Sequence, residues 1–125
     1  MSQLTRFNQL TLNDQAQTER RFSASDLAQW CRLAAVDQPC TDIPEPLIAG
    51  LFSYLLGEKL PGHGTNYLKQ RLTFHSVAGV DEPLTATVTI NRLRDDKALV
   101  NLTTTCHGRH NRLICDGEAL VRFQH

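Results

Sequence analysis

The chain has 125 residues, with thirteen Lys and Arg against thirteen Asp and Glu, so it carries no net charge. Its length fits a single domain over 1–125, and a 41% hydrophobic content is enough for a core. Balanced charge argues against a nucleic-acid surface, and 6% aromatics argue against a base-stacking platform. No stretch reaches the roughly 18 apolar residues of a membrane span.

The N-terminal run "MSQLTRFNQLTLNDQAQTERRF" has no apolar h-region, so no signal peptide is read there and a cytoplasmic protein is expected. Residues 1–21 are polar. Within them "LTRFNQLTL" reads as a first edge strand and "NDQAQTERR" as a connection. At "FSASDLAQWCRLAAV" the period turns helical. Ser23 or Ser25 can cap it, Asp26 suits the first turn, and Leu27, Trp30, Leu33 and Ala34 share one face. A second helix is predicted over "IPEPLIAGLFSYLLGEKLPG", with Pro46 at its first position and Gly57 with Pro61 marking its end. Leu47, Ile48, Leu51, Phe52, Leu55 and Leu56 cover more than one face, as expected of a central, largely buried helix.

After Gly64 the period becomes two. Leu68, Gln70, Leu72 and Phe74 share a face in "YLKQRLTF". In "LTATVTINRL", Leu84, Ala86, Val88 and Ile90 face one way and Thr85, Thr87 and Thr89 the other. "ALVNLTTTCH" and "DGEALVRFQ" follow, with "RDDK" and "HGRHNR" as hairpin loops. Helices first and antiparallel strands after is an α+β plan. The sheet's apolar face has the second helix to wrap, which is the hotdog architecture. Of Cys31, Cys40, Cys106 and Cys115 none forms a CxxC pair, so free thiols are expected and no zinc site.

"LFSYLLGEKLPGHGTNYLKQRLTF", "LRDDKALVNLTT", "DGEALVRF" and "FSASDLAQWCRLAAVDQP" resemble the MaoC-like, (R)-specific enoyl-CoA hydratases over residues 20–124. The resemblance implies a homodimer acting on acyl thioesters of coenzyme A or acyl carrier protein. The implied reaction adds or removes water across a 2-enoyl/3-hydroxyacyl thioester, with no metal or redox cofactor. It also implies that Ser53, Leu56 and Val121 line the acyl pocket.

Such chemistry needs a base for water, an acid for the α-carbon and a donor for the enolate-like oxygen. The family pattern D-x-N-P-x-H supplies the acid/base pair, an overhang follows, and a His-Gly pair opens the central helix. Matched without gaps, Val36 falls on the aspartate, Gln38 on the asparagine, Pro39 on the proline and Thr41 on the histidine. Pro44 and Glu45 fall on His-Gly, and about fifteen residues of overhang are missing by the family pattern. Sliding the match by one residue recovers Asp37 but no histidine. Neither Val nor Thr moves protons at neutral pH. The N–H groups near Glu45 and Leu47 still lie at a helix N-terminus, although Pro46 has none.

The candidates for replacement chemistry each have a plainer reading. Asp37 is either a displaced base or a surface carboxylate. Glu45 and Asp42 are either thioesterase carboxylates or partners of the helix dipole. Cys40 is a nucleophile or a partly buried thiol, and His63 is a ligand-facing or a solvated loop histidine. Ser53 is a pocket residue or a serine bonded to its own helix, and both can hold at once. Lys69 and Arg71 could meet coenzyme A phosphates, or simply sit on an exposed strand face. His75, His107 and His110 are expected to face solvent, and their spacing with Cys106 fits no standard metal site. The favoured reading is an acyl-thioester-binding homologue that lacks the usual dyad. An active hydratase/dehydratase with relocated residues and a thioesterase are the alternatives.

Overall fold

The computed structural model describes residues 7–35 and 41–123. In chain order the elements are β1 (Gln15–Arg20), α1 (Ala24–Leu33), α2 (Glu45–Glu58), β2 (Thr65–Phe74), β3 (Leu84–Arg94), β4 (Leu99–His107) and β5 (Leu113–Phe123). The strands form one antiparallel sheet in the order β1-β3-β4-β5-β2, so β1 and β2 are its edges. Alternation decides which face is apolar. Leu84, Ala86, Val88 and Ile90 of β3 are fully buried, as are Val100, Leu102, Thr104 and Cys106 of β4. Cys115, Ala119, Val121 and Phe123 continue this face on β5. Ile48, Leu51, Phe52, Leu55 and Leu56 of α2 pack onto it. Each such side chain contributes about 1.5–3 kcal/mol of burial. This is the hotdog fold.

The helix does not cover the sheet evenly. It lies closest to β3 and β1. On β2 the inward positions Gln70, Leu72 and Phe74 are only half-buried. A seam therefore runs beside α2, with α2 as one wall, β2 as the other and β5 as floor.

Several local expectations change. The described part of "LTRFNQLTL", residues 7–12, is not a strand. Phe7–Gln9 is a 3-10 turn, and the edge strand is "QAQTER", inside the presumed connection. An edge strand needs backbone pairing more than apolar side chains, and β1 obtains it by running antiparallel to β3 from Gln15↔Thr89 to Arg20↔Leu84. Ser23 caps α1 in a capping box: its hydroxyl accepts from the Asp26 N–H at 3.1 Å, and the Asp26 carboxylate accepts from the Ser23 N–H at 2.8 Å. Of the apolar stripe on α1 only Leu27 is buried, while Leu33 is 89% exposed. Pro44 is the N-cap of α2, so Pro46 takes the second helical position, and the helix passes Gly57 to end at Glu58. Finally, a bulge between Tyr67 and Lys69 takes Leu68 off the inner face. Tyr67 then pairs with the inward-facing Val121 in its place.

One buried carboxylate ties the loops together near the start of α2. Glu82 is 6% exposed. It accepts from the Gly79 N–H at 2.9 Å and the Arg109 N–H at 2.8 Å, and it pairs with the Arg112 guanidinium at 2.7 Å. Burial works to raise its pKa, but these donors and the Arg112 charge hold it at about 2. A Cβ at Gly108 would fall on that carboxylate, so only glycine leaves the network room.

Candidate functional site

The start of α2 is where the family chemistry would sit. Asp37 and Cys40 lie in residues 36–40, outside the described residues. Asp42 is exposed and bridges to Gly79 through its backbone. The Ile43 N–H donates to the Ala78 carbonyl at 2.8 Å, which fixes the entry to the helix. Glu45 opens α2 with its side chain exposed. The helix end offers few donors to an oxyanion. Pro46 has no N–H, and the Leu47 N–H donates to the Pro44 carbonyl at 3.0 Å. The Leu47 group expected to serve a ligand is therefore occupied, which leaves Glu45 in that turn.

Facing this end from β5 is Cys115, the cross-strand neighbour of Cys106 on β4. The Cys115 thiol draws the Cys106 thiol down in pKa. The Cys106 thiol, with burial and nearby carboxylates including Glu45, pushes Cys115 up. Glu45 thus stands within electrostatic reach of one end of the seam.

The other end of the seam gathers Ser53, Leu56 and Val121. Leu56 and Val121 are fully buried in the core, and Ser53 is exposed on α2. They are joined by Tyr67, which the sequence reading did not single out. Tyr67 opposes Val121, and its hydroxyl lies near the Ser53 side chain across the α2–β2 seam. Partial burial raises its pKa to about 12, and the Ser53 hydroxyl offsets part of that rise. The signal was faint: a tyrosine at a strand start gains this role only through the bulge at Leu68.

His63 lies beyond the far end of α2. It is exposed and pairs with Glu58 at 3.3 Å. The fourteen residues of α2, about 1.5 Å each, separate it from Glu45. Within one chain these two candidates are not brought together.

The outer face of the sheet is polar. Arg71 pairs with Glu118 at 3.8 Å, and His75 Nε2 meets Asp116 Oδ1 at 2.9 Å. His75 is therefore partnered, though it faces outward as expected. A depression of about 320 Å³ there includes Lys69 and Arg71 in its lining. A second, of about 280 Å³, lies between β1 and α2 against Phe22, Leu51 and Tyr54. Among the described residues no group of three or more His, Cys, Asp or Glu could hold a metal ion, and no helix is long and apolar enough to cross a membrane.

The chain is 34% identical to an (R)-specific enoyl-CoA hydratase from Aeromonas caviae, over 91% of this chain and 96% of that one. The aligned span is 128 residues, longer than the whole chain. A solved (R)-hydratase from A. caviae involved in PHA biosynthesis superposes with a TM-score of 0.86 at 32% identity, covering 92% of this chain and 98% of the other. An unliganded R-hydratase from Pseudomonas aeruginosa reaches the same TM-score at 21% identity, over 94% and 84% of the two chains, a likeness of fold. No protein-family model matches the chain.

Proposed function

The chain belongs to the (R)-specific enoyl-CoA hydratase family, and we propose that it binds acyl thioesters of coenzyme A or acyl carrier protein without the family's proton-transferring pair. The reading is supported by the family fold together with the sequence of the connection, residues 34–44, which carries no histidine. Ser53, Leu56 and Val121 remain on one seam, where the resemblance places the acyl chain. At the start of α2, Thr41 stands at the histidine position and a proline has replaced one backbone donor. The alignment with the A. caviae hydratase outruns this chain, which supports a segment lost from it. Hydration needs both a base and an acid within hydrogen-bond reach of the substrate. Glu45 and His63 stand at opposite ends of α2 and do not form such a pair within one chain.

The protein works as a homodimer in this reading. β2 is a ten-residue edge strand with a half-exposed inner face, and it carries the exposed Tyr67 and Leu68. Unpaired backbone beside apolar side chains is a template for strand pairing. A second copy joined there would close the open side of the seam. No metal or redox cofactor enters this reading.

Thermal unfolding with and without butyryl-CoA tests the binding. A ligand at one hundred times its Kd adds about 2.7 kcal/mol to the native state, which raises Tm by on the order of 10 °C for a domain of this size. Unchanged melting across a panel of acyl-CoA and acyl-carrier thioesters would refute it. Release of free coenzyme A during the incubation would instead favour a thioesterase using Glu45 or Asp42.

A further inference from the structure

We propose that Cys106 and Cys115 are a site of reversible covalent modification, where a peroxide closes the two thiols into a disulfide within one chain. The inference does not depend on the thioester reading above, and it uses two nucleophilic groups that the reading leaves idle.

Both cysteines are free thiols, and both are fully buried. They stand directly opposite each other on β4 and β5. Because both are buried in the core, their side chains share the inner face of the sheet. Residues opposed in an antiparallel ladder lie about 4.5 or 5.5 Å apart at Cα. A disulfide spans roughly 4.4–6.8 Å between the same atoms. The backbone therefore already has the spacing that the bond needs.

The pair also sits where the ladder can open. Cys106 faces Cys115, but the next residue, His107, faces Leu113 and leaves Ile114 over as a bulge. Residues 107–114 then form the end of the hairpin. The Glu82 carboxylate holds this end, accepting from the Arg109 N–H at 2.8 Å and from the Arg112 guanidinium at 2.7 Å. Opening of this end admits a molecule as small as hydrogen peroxide to the sulfurs.

The chemistry then runs in two steps. Cys106 ionises the more readily, because the Cys115 thiol draws its pKa down, and the thiolate is the nucleophile. It attacks one peroxide oxygen, the O–O bond breaks, and hydroxide leaves Cys106 as a sulfenic acid. The Cys115 sulfur next attacks the Cys106 sulfur. An S–S bond forms, the S–O bond breaks, and the departing hydroxide takes the Cys115 proton to become water. Two thiols and one peroxide thus give one disulfide and two waters, with the electrons lost by the sulfurs gained by the peroxide. The product staples the hairpin that carries the donors of Glu82.

The test uses the full chain with Cys31→Ser and Cys40→Ser, so that only this pair can react. Hydrogen peroxide should remove both remaining thiols, counted after denaturation, and lower the intact mass by the two lost hydrogens. Dithiothreitol should restore both. Peptide mapping of the oxidised wild type should find the same link between Cys106 and Cys115, so the result does not depend on how the variant folds. Cys115→Ser lacks the resolving thiol and should hold Cys106 as a sulfenic acid that dimedone traps. Survival of both thiols while free cysteine in the same solution is oxidised would overturn the inference. So would oxidation to sulfinic acid without a cross-link, or a disulfide between two chains, seen as a doubled mass.

Discussion

The two halves of the sheet are built from similar alternating strands but end in different states. On β3 and β4 almost every inward side chain is fully buried under α2. On β2 the inward residues are half-buried, the backbone edge is unpaired and the strand carries a bulge. The β3–β4 half is complete within one chain, so it holds the stability. The β2 half is unfinished, and its unfinished surface is where the proposed ligand and second copy are placed. Each half holds one orphaned buried polar group, Gln70 on β2 and Thr104 on β4, whereas the buried Glu82 carboxylate has the donors it needs.

The largest effect should come from breaking the closed half. Phe52→Ala empties a fully buried site under α2. It should cost about 4 kcal/mol in urea unfolding, and a loss below 1 kcal/mol would mean that α2 does not seal this side. Next is the Glu82 network. Glu82→Gln leaves the Arg112 guanidinium with a neutral partner and should cost on the order of 3 kcal/mol at pH 7. Because the folded pKa is lowered to about 2 from the usual 4.5, the stabilisation is complete above pH 4.5 and disappears as pH falls toward 2. The wild type should lose stability across that window more steeply than Glu82→Gln does. Equal slopes would show that another group titrates there.

The open half should respond differently. Leu68→Glu places a charge on an exposed bulge of the free edge. It should change monomer stability by less than about 0.5 kcal/mol, yet shift sedimentation toward the monomer. A dimer that tolerates the charge would move the interface away from β2. Tyr67→Phe should have the smallest effect on folding, within about 1 kcal/mol, since it removes only the hydroxyl that meets Ser53. Its mark should be weaker acyl-CoA binding, and unchanged affinity would place the acyl chain elsewhere.

Much of the closed half was legible in the sequence. The alternation from Leu84 to Ile90 predicts its face without help, because each residue is buried by its own strand's period. The central helix was equally clear from the run Leu47–Leu56. Less was legible where backbone pairing or distant contacts decide. β1 is polar because an edge strand needs hydrogen bonds more than apolar side chains, so "QAQTER" carries no hydrophobic signal. The bulge at Leu68 shifts the alternation by one residue and turns Tyr67 inward, which no period reveals. Glu82 and Arg112 are thirty residues apart and meet only through the fold. Leu33, on a regular stripe, stays exposed because this chain packs nothing against it among the described residues. For the candidate site, Ser53, Leu56 and Val121 came from resemblance, whereas Tyr67 emerges only from the bulge.

The most direct measurement is the enoyl absorbance of crotonyl-CoA incubated with the purified protein at neutral pH. On the proposal that the acid/base pair has been lost, the absorbance should persist through incubations long enough for a working hydratase to reach equilibrium. A rapid, protein-dependent fall, with 3-hydroxybutyryl-CoA as product, would contradict the proposal that the proton-transferring pair has been lost.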